Sequence, residues 1–469
     1  MRQKGPSFST SNFWQLIELC HGRIARTLKM HRKRTWMALG VVILALGACR
    51  SPDAAGSANH QEVSSVRPSA SKHGALVYRG LEAFRVSPDG RRRVAADNTG
   101  PFGRSWSKST NLGLDLLTQL VAERTALVSA ASSADRVDEV LSTLEELRTF
   151  RGLFPEFIKL EGPAHAEVKA GRIRYSTIDS AWVTVALSIA SARYRVDRPE
   201  LTRRAQALIE KQDYSSFLKS NLLSDGVSID AVSGAIVEPG RFSYGDRNSE
   251  ARPLVLALIG LQLLPPTVWD AMSYAWTERA SLPVAEGYRA SAFVELTGQL
   301  FFDEMRLAPH SLGLSHRNYV EASARVARAK QHVVFGYAPS CEPPDGYAEF
   351  GLDRPDVVTP YAAAELATTG LPLAAQNLTR VLDALDWSGG PVADALDPSN
   401  AHTVCPTARM LDQSLLFLAL NADALRDLAQ ASPWYASAEA RLRDMDRTHA
   451  PPAVSIPRAA DIGVHRVGG

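Results

Sequence analysis

The stretch Ser243–Arg252, SYGDRNSEAR, runs directly into Pro253–Leu264, PLVLALIGLQLL. A polar loop carrying two carboxylates therefore opens an apolar helix. Ser249 reads as the N-cap, and Glu250 and Arg252 fall in the first turn, where unpaired backbone N–H groups and the helix dipole favour an anion. A carboxylate at the mouth of such a helix either caps it or works in a site. Recurrence argues for a site, because several other apolar helices of the chain open in the same way.

Apolar periodicity and breakers mark about twelve helical segments, arranged in six pairs. The first of each pair is rich in small and apolar residues: 110–122, 179–191, 250–263, 292–303, 359–369 and 409–420. The second is amphipathic: 134–150, 199–218, 266–279, 315–331, 372–386 and 424–444. A helix apolar all round is buried, whereas one with a charged stripe lies at the surface. Their strict alternation predicts an all-α fold, an (α/α)6 toroid of six helical hairpins. In that arrangement the inner helices all run the same way, so their N-termini meet at one end.

Polar residues near those N-termini then converge. They are Ser109, Thr110 and Asn111; Thr177 and Asp179; Asp246, Glu250 and Arg252; Glu295; Asp345, Tyr347 and Glu349 ahead of the fifth inner helix; and Asp412 with Gln413. Trp106, Trp182, Phe242, Tyr244, Tyr347 and Trp387 lie in the same loops or helix mouths. Sugars suit such a surface, since their hydroxyls need planar acceptors and their C–H faces stack on rings. The Pro- and Gly-rich segment 336–358 crosses this end and reads as a binding loop anchored by Tyr347 and Phe350.

Composition is that of an ordinary globular chain: 45% hydrophobic, 22% charged and a net charge of +2. That balance argues against a nucleic-acid partner. The sequence carries no metal signature, no phosphate-binding glycine loop and no nucleophilic Ser or Cys motif, so no cofactor is expected. The expected partner is an oligo- or polysaccharide.

The amino terminus reads as a targeting segment. A basic region from Met30 precedes the apolar run Met37–Ala48, which is short for a membrane span and ends at Cys49. Leu46-Gly47-Ala48-Cys49 resembles a bacterial lipoprotein box, with Cys49 as the lipidated residue and Met30 as a candidate true start. Residues 1–49 are thus a signal region, 50–75 a polar tether, 76–447 the folded domain and 448–469 a disordered tail, and the stretch from Ala75 to Val86 reads as a short extended segment ahead of the helices. This implies an exported protein anchored on the periplasmic side of a bacterial envelope. Cys341 and Cys405 would remain in the mature domain and could pair in an oxidising compartment.

Short motifs in order over about 300 residues resemble the glycoamylase-like family. They include Ser176-Thr177-Ile178-Asp179-Ser180, Ser249-Glu250-Ala251-Arg252, Phe293-Val294-Glu295, Ser315-His316-Arg317-Asn318-Tyr319, Pro344-Asp345-Gly346-Tyr347 and Leu411-Asp412-Gln413. The family comprises (α/α)6 proteins, among them bacterial endo-β-1,2-glucanases, and is related to the transglycosylating domain of cyclic β-1,2-glucan synthases. The resemblance implies a glycoside hydrolase with Glu250, Asp179 and Asp412 as working carboxylates. It also implies Arg252, Glu295, Asp345, Tyr347, Glu349 and Gln413 as substrate-binding residues. Two departures are visible. Ala181 stands where the family reads Asp-Ser-Gly, and Cys341 stands where an acid commonly follows Ser340. A glycan-binding envelope lipoprotein that does not cleave its ligand is the alternative.

Glycoside hydrolysis needs a protonated acid on the leaving oxygen and a carboxylate on the other face of the ring. Glu250 is expected as the acid, with Asp179 or Asp412 activating water and Arg252 orienting Glu250 or a substrate hydroxyl.

Overall fold

A computed structural model describes residues 71–449, apart from Pro101, Pro344, Asp345 and Pro406. The signal region, Cys49, most of the tether, nearly all of the tail and the expected site residue Asp345 lie outside the described residues. Among those described, fifteen α-helices dominate, joined by five small antiparallel sheets. The chain is mainly helical rather than all-α.

Six helices form the interior: Ser109–Arg124, Thr177–Tyr194, Ala251–Gly260, Ala292–Phe301, Pro360–Ala367 and Met410–Leu420. Each packs on the next, and the sixth packs on the first. Nearly every residue of the first is buried, polar ones included, as a helix surrounded by others requires. Gly113 lets the first two helices approach closely: a Cβ there would meet the Trp182 carbonyl carbon at 2.8 Å.

The outer helices depart from simple hairpins. Ala130–Glu146, Pro199–Glu210, Leu312–Lys330 and Pro372–Ala384 follow the first, second, fourth and fifth inner helices as expected. The expected outer helix 266–279 is instead one turn, Thr267–Ala271, followed by a hairpin of Trp276–Arg279 and Leu282–Ala285. Ala280 and Ser281 form its tight turn with φ of 48° and 61°. Asn-Gly is the usual signal for such a turn, and it is missing here. The expected helix 424–444 is broken into Ala422–Gln430 and Tyr435–Thr448. The first piece packs against the first, second and fourth inner helices, and Arg426 donates to the Gln299 carbonyl at 2.8 Å. The second packs on the third inner helix and so takes the place left by the short 267–271 turn. The segment from Ala75, expected to be extended, is helical over Lys72–Leu81 and covers the sixth inner helix.

The sheets brace the N-terminal ends of the inner helices. Strand Trp106–Lys108 runs straight into the first inner helix and strand Arg172–Ser176 into the second. Asp179 is thus mounted just inside a strand–helix junction, whereas Glu250 ends the loop 245–250.

Candidate active site

One cavity of about 400 Å³ opens at this end. Its walls come from the first turns of the first, second, fourth and sixth inner helices, from Glu250 at the mouth of the third and from Tyr347 ahead of the fifth. Asp179 and Glu250 both line it, with Trp106, Tyr244 and Tyr347 as aromatic walls and Lys108 and Arg409 as its cations. A larger cleft of about 660 Å³ shares Asp179 and Tyr244 with it and continues past Phe157, Arg174 and Phe242.

Neither of these two carboxylates is spent on capping. Ser249 does not cap the third inner helix, because its hydroxyl donates to the Asp246 carbonyl at 2.7 Å. Glu250 itself precedes the first helical residue and makes no side-chain cap bond. In the second helix Ser176 takes the capping role, accepting from the Asp179 amide at 3.2 Å. The Asp179 carboxylate is left free to accept the Thr110 hydroxyl at 2.5 Å. Burial and the nearby Asp179 charge push the Glu250 carboxyl up to about 7, against the pull of Lys108. It is therefore substantially protonated near neutral pH, the state that a proton donor needs.

Asp412 lies just behind this wall. It is 2% exposed, and its Oδ2 accepts the Ser340 hydroxyl at 2.8 Å while Oδ1 has no partner among the described residues. Burial lifts it to about 7, opposed by Arg409 and Ser340. Its neighbour Asp394 is raised well above the carboxylate range by burial and by Asp412.

Three expected substrate contacts are corrected. Arg252 is 0% exposed and does not reach Glu250; its fork grips Glu304 at 2.8 and 3.0 Å, and it donates to Asn248 Oδ1 at 3.0 Å. Glu295 is 1% exposed and accepts from Asn248 at 2.6 Å, Ser315 at 2.5 Å and His316 at 2.8 Å. The cost of an acid inside an apolar helix is met by internal partners, not by a ligand. His316 also bonds Glu304 at 2.9 Å, which closes a buried tetrad of Arg252, Glu304, His316 and Glu295. Gln413, 1% exposed, is tied to the Val392 backbone at 2.9 and 3.1 Å. Glu349 remains exposed and accepts the Tyr288 hydroxyl. Among the aromatics, Phe350 is buried as an anchor, Trp182 is 1% exposed and Trp387 packs against His73 away from the cavity.

Cys341 and Cys405 form a disulfide, with Cα atoms 6.3 Å apart. The sequence reading missed Lys108, Asp97 and Arg409 as cavity residues. Lys108 and Asp97 precede the first helix, where helical periodicity gives no signal; Arg409 opens the expected segment 409–420, but a basic residue there carries neither the acid nor the aromatic signal of a sugar site. Ala181, the departure from the family motif, is fully buried and does not intrude on the cavity.

No family model matches the chain, and no curated protein matches it. Solved structures do, and the fold they define is the glucoamylase-like one. A candidate glucoamylase from Bacteroides caccae superposes with a TM-score of 0.66 at 15% identity, over 79% of this chain and 96% of that one. An endo-β-1,2-glucanase from Chitinophaga pinensis, in complex with sophorotriose and glucose, gives 0.65 at 14% identity over 79% and 96%. The Talaromyces funiculosus endo-β-1,2-glucanase in complex with sophorose gives 0.64 at 12% identity over 82% and 91%.

Proposed function

We propose that this chain is an exported, lipid-anchored glycoside hydrolase built on an (α/α)6 toroid, and that it cleaves β-1,2-linked glucan. The observation that carries the reading is Glu250, a carboxyl raised to about 7 that lines an aromatic-walled cavity together with Asp179. Glu250 donates its proton to the glycosidic oxygen as the C1–O bond breaks. Asp179 takes a proton from the water that attacks C1 from the other face, so the product inverts. The adjoining cleft offers room for a glucan chain to continue beyond the cavity. The likeness in fold to endo-β-1,2-glucanases supports the choice of linkage.

Incubation with linear β-1,2-glucan and with other β-glucans, followed by product analysis, tests this. Short β-1,2-gluco-oligosaccharides are the expected products. Binding without products would support the glycan-binding alternative, and neither binding nor products would remove the reading. Asp179→Asn is expected to lower kcat about 10³-fold and Asp412→Asn about tenfold, because only the first lines the cavity. The reverse ranking would move the base to Asp412.

Export is supported by the disulfide, which belongs to an oxidising compartment. Cys49→Ala is expected to shift the protein from the membrane to the soluble fraction; unchanged fractionation would sink the lipid anchor.

A further inference from the structure

We infer that Arg409 is a positioning residue that holds Tyr347 in place as a wall of the glycan site, an inference that rests on the glycan reading of the cavity. Its guanidinium joins three things at once. Nη1 reaches Asp394 Oδ2 at 3.3 Å, Nη2 donates to the Gly346 carbonyl at 2.5 Å, and the group lies over the Tyr347 ring, 5.4 Å from its centroid. Tyr347 is itself 53% exposed, so burial does not fix its ring. A planar cation stacked on one face and bonded to the neighbouring backbone does.

The anchor behind Arg409 is rigid. Asp394 is fully buried, and Gln413 donates to its other oxygen at 3.4 Å. The loop that carries Tyr347 is secured on both sides. Cys341 is bonded to Cys405, and Phe350 is buried in the same small apolar cluster. Arg409 is the one contact of this set that reaches the ring itself. It also lines the cavity, so direct contact with sugar is the rival role.

A double-mutant cycle on cleavage and binding of β-1,2-gluco-oligosaccharides separates the two. Arg409→Lys keeps the charge opposite Asp394 and loses the planar fork. Arg409→Lys and Tyr347→Ala are each expected to lower kcat/KM about tenfold, carried in KM, and the double variant no further than Tyr347→Ala alone. A product of the two losses, about a hundredfold, would overturn the inference and make Arg409 a sugar contact. A second readout needs no sugar. Chymotrypsin should cleave after Tyr347 about tenfold faster in Arg409→Lys than in the unaltered protein, at the same Tm. If the unaltered protein neither binds nor cleaves any glucan, the glycan reading falls and the proteolysis rate decides alone: equal rates would overturn the role of Arg409.

Discussion

Glu250→Gln is expected to lower kcat/KM on β-1,2-glucan by about 10³-fold or more while the protein still folds. The amide keeps the shape of the carboxyl but has no proton to give. Burial and Asp179 hold the Glu250 carboxyl at about 7, so activity that depends on its protonated form should fall as pH rises through about 7. The glutamine variant should lose that alkaline limb along with its rate. Because burial works against an ionised carboxylate, the variant is also expected to unfold at the same temperature or higher. Full activity with glutamine at this position would remove Glu250 from the mechanism and leave its shifted carboxyl unexplained.

The second large effect is on stability and lies in a buried cluster that holds Arg252 and Glu295, two residues that the resemblance assigned to substrate. Arg252, Glu304, His316 and Glu295 tie the third and fourth inner helices to the outer helix Leu312–Lys330. Arg252→Met is expected to cost about 3–5 kcal/mol, because it leaves Glu304 buried with half of its compensation. Gly298→Ala should be damaging by overpacking the same cluster, since its Cβ would run into Glu304 Oε1 and Arg252 Nε.

The pH dependence of stability follows from the same tetrad. Burial alone would lower the His316 imidazole, but bonds to Glu295 and Glu304 outweigh it and raise the group above its ordinary value. Its contribution is therefore complete below the unfolded value of about 6.5 and is lost as pH rises through the folded one. Glu304 behaves oppositely: burial would raise it, yet Arg252 and His316 hold it below the usual carboxylate range. Its contribution is present above the unfolded value and disappears as pH falls through the folded one. Denaturant unfolding across pH should show stability falling on both sides, and His316→Gln should flatten the alkaline side. An alkaline side unchanged in that variant would show that His316 is not the titrating group.

Much of the interior was legible. The positions of the six inner helices followed from runs that are apolar on every side, and their common N-terminal end followed from the alternation. That common end brought Asp179 and Glu250 to one pole of the fold; it did not decide which acids open on a cavity. The outer layer was less so. Lys72–Leu81 is ten residues with an apolar stripe at Val77, Tyr78 and Leu81, too short to assert itself against an extended reading. The hairpin after Ala271 turns on Ala280 and Ser281, residues that rarely adopt left-handed backbone.

Side-chain roles divided along the same line. By itself the sequence determined which acids stand at helix mouths, because local pattern and spacing carry that information. Only the tertiary structure decided which of them face a cavity: Asp179 and Glu250 do, Asp412 sits one layer behind, and Glu295 is consumed by Asn248, Ser315 and His316. Those partners lie 20 to 72 residues away along the chain. Whether a buried carboxyl is satisfied or left to do chemistry depends on groups that only folding brings within hydrogen-bond reach.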